Sequence, residues 1–201
     1  MRGIKFNQPL FYIPILLLAS AGILNFASSA FIATYFPYRQ PLDDLLFILL
    51  PYVSWTQYWT DLANLFGIAL IFFYMLRGRV NKLPFYITIF TVGYLMRALI
   101  TPLTPLGGPL GNGASYGLTT IEQNGQFPSG HVMILMIAYL LVDGKSEPVI
   151  KFLLLASLLI EIVTLLLSNG HYSIDVIGGL LVGYVAYHET KKYEPQLILR
   201  S

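Results

Sequence analysis

Residues 151–167 read "KFLLLASLLIEIVTLLL", apolar at almost every position and without two-residue alternation. A strand crossing a bilayer within a barrel alternates lipid-facing and lumen-facing residues over about ten positions, and this stretch does not. In hydrocarbon, the structure left for such a run is a helix, which pairs its own backbone groups. "PILLLASAGIL", residues 14–24, reads the same way.

The surrounding chain agrees with that reading. Its 201 residues are 56% hydrophobic and 11% charged, with a mean hydropathy of +0.66, a composition that cannot furnish an ordinary soluble surface. A membrane-spanning helix takes roughly 20 apolar residues, and six stretches approach that length: Leu10 to Tyr35, Tyr58 to Leu76, Phe85 to Leu103, Ser129 to Val142, Val149 to Leu167 and Tyr172 to Tyr187. The expected fold is therefore an all-α integral membrane protein, a six-transmembrane-helix bundle forming a single domain over residues 1–201, with no linker long enough to divide it. The first stretch follows Arg2 and Lys5 and ends in "ASSA" like a secretory signal. Its apolar run exceeds the roughly 7 to 15 residues of a signal core, so it is read as a retained helix.

The chain has no cysteine, which excludes a disulfide framework and thiolate catalysis. A net charge of +2 spread over short loops gives no nucleic-acid footprint. Basic residues do report orientation, because Lys and Arg accumulate on the cytoplasmic side. With the amino terminus inside, Arg2, Lys5, Arg77, Arg79, Lys82, Lys145, Lys151, Lys191, Lys192 and Arg200 all fall inside. Of the 12 basic residues only Arg39 and Arg97 fall outside. Both termini are then cytoplasmic.

That polarity places two histidines together. Residues 124–142, "NGQFPSGHVMILMIAYLLV", set His131 at the head of the fourth stretch, and "HYSID" sets His171 at the head of the sixth. Both stretches run from outside to inside, so both imidazoles belong to the extracytoplasmic or luminal face. At about 1.5 Å per residue the fourth stretch covers roughly 21 Å of a core near 30 Å, which sinks its outer end to headgroup depth.

His171 and Asp175 are four apart and share a helix face. The carboxylate can accept a hydrogen bond from one imidazole nitrogen, fixing the tautomer and leaving the other nitrogen as nucleophile or base. The plainer alternative is an acid that neutralises a nearby cation. An ionisable residue one turn into a span is, however, a functional candidate by default. In "PSGH", Ser129 suits an N-cap, Gly130 allows close backbone approach, and the helix-start amides favour an anion. His131 could instead belong to a structural cap or a metal site. A metal usually takes three or four converging ligands, and if Asp175 orients His171 only the two histidines remain, so no metal or other cofactor is expected.

"PSGH" followed about forty residues later by "HYSID", each heading an apolar helix, resembles the type 2 phosphatidic acid phosphatase superfamily. Within it the likeness is nearer to the sphingomyelin synthase branch. "QPLDDLLFILLPYVSW" at residues 40–55 is similar to that branch's motif after the first span, "MRALITPLTPL" at 96–106 to its motif near the third, and "GHYSIDVI" at 170–177 to its last. The resemblance covers about residues 40–188, the expected catalytic core. It implies that His171 attacks phosphorus to form a phosphohistidine, that Asp175 orients it, and that His131 protonates the leaving alcohol.

The departures also carry information. The phosphatase branch has a Ser-Arg pair seven and six residues before the nucleophile, where this chain has Thr164 and Leu165. Arg97, with Ser129 and Gly130, is then the expected phosphate-binding group. A single arginine with helix amides is better matched to the one charge of a phosphodiester than to the two of a monoester. The reading that follows is a lipid phosphotransferase that takes a headgroup from a phospholipid donor and passes it to diacylglycerol, ceramide or water. The alternatives are a phosphatase of lipid or polyprenyl phosphates and a non-catalytic lipid-binding scaffold. A homo-oligomer is compatible with all three.

Other residues make weaker cases. Glu161 lies inside the fifth stretch, where it could bond a neighbouring helix or accept a proton from an incoming hydroxyl. Asp43, Asp44 and Asp61 are expected near the outer face as solvated charges or as part of a headgroup pocket. The aromatics of "PYVSWTQYWT" suit an interfacial belt better than a choline cage. The glycine-rich segment between Thr104 and Pro128 lacks a Walker lysine and follows no strand, so it is read as a flexible cover and not a nucleotide loop.

Overall fold

The computed structural model describes residues 9–77, 79–109 and 125–199. Arg2, Lys5 and Arg200, used above for orientation, and residues 110–124 of the expected cover lie outside the described residues. Within them the chain forms seven α-helices and no strand: α1 (Pro9–Tyr35), α2 (Leu45–Leu49), α3 (Thr56–Leu76), α4 (Leu83–Ile100), α5 (Gly130–Leu141), α6 (Pro148–Leu167) and α7 (Ser173–Lys191). Four are long and apolar enough to cross a membrane: α1, α3, α6, and α4 with its flanking 3-10 turns, Val80–Leu103. At 12 residues α5 is shorter than these.

Each long helix occupies one of the expected stretches, with shifted ends. Pro84 and Pro148 stand in the first turns of α4 and α6, where a missing N–H leaves no bond unmade. α7 runs past Tyr187 to Lys191. Helix α2 was not expected; the Asp44 side chain caps it by accepting from the Leu46 N–H at 2.8 Å.

Helix α5 is the centre of the bundle and packs against α3, α4, α6 and α7. Its Val132, Met133, Leu135, Ile137 and Ala138 are wholly buried. α1 leans on α4, and α3 on α6. Lipid tails are as apolar as leucine, so close approach and interhelical hydrogen bonds hold such helices together. Thr60 Oγ1 on α3 accordingly donates to Thr164 Oγ1 on α6 at 2.8 Å, and Ser28 Oγ on α1 to the Ala98 carbonyl on α4 at 2.7 Å.

The two ends of the bundle differ in chemistry. At one end Arg79 pairs with Glu147 at 3.1 Å, Lys82 with Glu194 at 2.8 Å and Lys191 with Glu194 at 3.2 Å. These pairs gather the end of α3 and the starts of α4 and α6 to the end of α7. His131, His171 and Arg97 lie at the other end.

Candidate active site

The site is built where α6 turns into α7 and where α5 begins. Helix α6 closes with two bonds, from the Asn169 N–H to the Leu166 carbonyl at 3.2 Å and from the Gly170 N–H to the Leu165 carbonyl at 2.8 Å. This is the Schellman pattern, which needs a left-handed residue after the cap. Asn169, at φ 49°, supplies it and directs the chain into His171 two residues later.

His171 is buried, and its Nδ1 lies 3.1 Å from Asp175 Oδ2. The same oxygen accepts the Tyr172 N–H at 3.0 Å, so one carboxylate oxygen fixes both the imidazole and the first turn of α7. The Nδ1 contact fixes the orientation of the imidazole. The rings of His131 and His171 are 6.3 Å apart between centroids, a gap that suits a group bonded to both.

Two hydrogen bonds and two close glycine approaches bring the second histidine to this place. Ser129 caps α5, its Oγ accepting the Val132 N–H at 3.5 Å, and its own N–H donates to the Asp175 carbonyl at 3.0 Å. The peptide between Phe127 and Pro128 is cis. Glycines on α7 do the rest: a Cβ at Gly179 would stand 2.6 Å from the Ser129 carbonyl oxygen, and one at Gly183 3.0 Å from that of Met133. Only bare backbone lets α7 lie this close to α5.

Arg97, buried near the end of α4, donates from Nε to the Pro128 carbonyl at 2.9 Å, from Nη2 to the Gly125 carbonyl at 2.9 Å, and from Nη1 to Asn25 Oδ1. Its guanidinium therefore shapes the loop before α5. It also borders a cavity of about 180 Å³ lined by Asn25, Asn64, Tyr94, Arg97, Gly130, His131 and Ile134. A Cβ at Gly130 would come within 3.2 Å of Arg97 Nε, so the glycine admits the guanidinium to the start of the helix. Asn25, Asn64 and Tyr94 were not anticipated as lining. The two asparagines carried a readable signal, a polar side chain inside an apolar run.

The remaining acidic residues separate into three situations. Asp43 is exposed, as expected of a loop charge. Asp44 is buried and is no solvated charge: besides capping α2, its Oδ2 accepts the Ser173 N–H at 2.6 Å. Asp61 is likewise buried, within α3. Glu161 is wholly buried in α6, with neither carboxyl oxygen hydrogen-bonded among the described residues. Tyr172 adds a brace, its hydroxyl donating to the Gly107 carbonyl at 3.0 Å and accepting the Leu42 N–H at 2.9 Å.

Among the described residues no three His, Asp or Glu side chains converge as a metal site. Residues 127–192 match the family model described as PAP2 superfamily C-terminal. The match supports the type 2 phosphatidic acid phosphatase superfamily. No curated protein matches the chain. The matched segment holds both histidine motifs and Glu161. With the four long apolar helices it points to a multi-pass membrane protein having lipid phosphatase- or phosphotransferase-type activity.

Proposed function

We infer that this protein is a membrane lipid phosphotransferase of the sphingomyelin synthase-like type, with six spans, cytoplasmic termini and its site on the extracytoplasmic or luminal face. The observation that carries this reading is the His171 Nδ1 to Asp175 Oδ2 contact at 3.1 Å, with the His131 ring 6.3 Å away. Nε2 of His171 attacks the donor phosphorus, and the bond from phosphorus to the diacyl alcohol breaks as protonated His131 gives its proton to the leaving oxygen. An acceptor hydroxyl then attacks the phosphohistidine and passes its proton to His131. The bond from phosphorus to nitrogen breaks, restoring His171. The cavity beside Arg97 and Gly130 is the place for the phosphoryl oxygens, with Ser129 holding the helix start against them.

The segregation of paired basic residues at the end opposite the histidines supports the orientation. A single arginine at the cavity supports a diester donor over a monoester.

The test incubates the protein in lipid vesicles with a phospholipid carrying a labelled headgroup, with and without diacylglycerol or ceramide, and identifies products by mass spectrometry. Label on the added lipid alcohol is the expected result, together with a loss of at least roughly 10³-fold in His171→Ala. Inorganic phosphate from phosphatidic acid or a polyprenyl diphosphate, without headgroup transfer, would make the protein a phosphatase. Full turnover in His171→Ala would overturn the mechanism.

A further inference from the structure

The end of the bundle opposite the histidines holds a cavity of about 200 Å³. Four helices meet around it: Tyr74 lies near the end of α3, Tyr86 near the start of α4, Leu141 closes α5, and Tyr187 stands in the last turns of α7. Tyr74, Tyr86 and Leu141 are buried and form its inner wall. The space would take several waters at about 30 Å³ each.

Its rim is made of charge. Arg79, Lys82 and Lys191 stand there with Glu194 and Asp143. The Glu194 carboxylate is shared between two ammonium groups, Oε1 lying 2.8 Å from Lys82 Nζ and Oε2 3.2 Å from Lys191 Nζ. Arg79 is fixed from two sides, its guanidinium 4.2 Å over the Tyr74 ring and 3.1 Å from Glu147. Asp143 is exposed and turned to its own loop, accepting the Lys145 N–H at 3.0 Å with that residue's charge beside it.

These pairs do not exhaust the cations. Three positive charges, on Arg79, Lys82 and Lys191, face the two carboxylates of Glu147 and Glu194, an excess of one. An ammonium carries three N–H donors, so the bond each lysine gives to Glu194 leaves capacity for a second acceptor. The Lys82 and Lys191 side chains are 39% and 50% exposed, so an acceptor can reach them. Glu194 shows the kind of group they hold: two oxygens sharing one negative charge. A phosphodiester presents the same pattern on its two non-bridging oxygens.

Depth selects among phosphates. The apolar stretches Thr56–Leu76 and Val80–Leu103 meet at this end, where hydrocarbon gives way to headgroups and tyrosines gather. Basic pockets between helices at this level take anionic headgroups. A soluble phosphate gains nothing from that position.

We propose that this cavity binds the phosphodiester of an anionic phospholipid, held by Lys82 and Lys191 with Arg79 adding positive charge, at the end of the molecule remote from the histidines. The bound headgroup ties the α3–α4 turn to the end of α7. The site is independent of the reaction at the histidines.

The full chain, stripped of lipid in detergent, is titrated with phosphatidylglycerol and separately with phosphatidylcholine of the same chains, and bound lipid is counted by native mass spectrometry. Phosphatidylglycerol is expected to bind at least about tenfold more tightly and to raise the unfolding temperature with its concentration, as a ligand of the folded state does. Joint substitution of Lys82→Gln and Lys191→Gln should weaken phosphatidylglycerol at least about tenfold and leave phosphatidylcholine unchanged. Lys192→Gln removes a charge outside the cavity, from a surface pair with Glu189, and should stay within about threefold of the native affinity.

Glu194→Gln separates a lipid site from a staple of ion pairs. In a staple it lowers the unfolding temperature and does not improve lipid binding. In an anion site it removes the charge that competes with the phosphate, and phosphatidylglycerol should bind at least about threefold more tightly. Unimproved binding in Glu194→Gln, equal binding of the two lipids, a double variant with native affinity, or an equal loss in Lys192→Gln would overturn the proposal. Protection from unfolding by inorganic phosphate equal to that by phosphatidylglycerol at the same concentration would make this a site for soluble anions and overturn the lipid assignment.

Discussion

The backbone N–H of Ser129 donates to the backbone carbonyl of Asp175 at 3.0 Å. One backbone hydrogen bond thus joins the cap of α5 to the first turn of α7, and the two histidines keep their spacing only while these helix heads stay in contact.

Gly179 is the position where that contact can be broken without touching a reactive group. Its Cβ would meet the Ser129 carbonyl oxygen at 2.6 Å. Gly179→Ala is expected to lower turnover roughly 100-fold, the scale of a displacement near 1 Å, and to destabilise by about 1–3 kcal/mol. Gly22→Ala, where a Cβ meets nothing within 4 Å, is the control. Turnover and thermal unfolding of both variants decide the matter.

Asp175→Asn keeps an oxygen for the Tyr172 N–H but loses the charge that steadies the His171 ring. Turnover should fall by roughly 10²–10⁴-fold, with a smaller change in unfolding temperature than in rate. An Asp175→Asn protein that turns over normally would remove Asp175 from the mechanism.

Arg97 makes bonds to the Pro128 and Gly125 carbonyls and to Asn25, a fork that an ammonium group cannot copy. Arg97→Lys should lose about 1.5–3 kcal/mol of stability per broken bond along with most activity. Asn25→Ala should cost less on both counts. Unfolding in detergent micelles, followed with and without a phosphodiester analogue, separates the loop-holding role from phosphate binding: a lysine variant of native stability would show that the clamp is dispensable.

Asp44 and Asp43 are neighbours with opposite expectations. Asp44→Ala frees the Leu46 and Ser173 N–H groups it now accepts, at about 1 kcal/mol for each lost cap, and should slow turnover by loosening the head of α7. Exposed Asp43→Ala should leave both stability and rate near native values. Equal effects from the two would contradict the cap.

Much of this arrangement could be read in the chain because its signals are local. Apolar runs of about 20 residues marked the long helices, and the four-residue spacing of His171 and Asp175 foretold their contact. What stayed hidden depends on partners distant in sequence. The value of Gly179 and Gly183 shows only once α5 lies against them, since a glycine pair in an apolar helix does not name its neighbour. Arg97 was read as a cation for phosphate; its bonds to carbonyls 28 and 31 residues away could not be inferred from its own surroundings. Asp44 looked like a loop charge because α2, only five residues long, has too little periodicity to announce itself.

The Tyr172 hydroxyl bridges residues 42 and 107, and Asp44 reaches Ser173. The platform under His171 is therefore assembled from segments far apart in the sequence, around residues 42–44 and 107, and the head of α7. Helices α1 through α6 alone supply His131 but not the His171 and Asp175 pair, which the head of α7 brings. The centre is complete only where the glycine face of α7 lies on α5 and the loops at residues 42–44 and 107 bond its head.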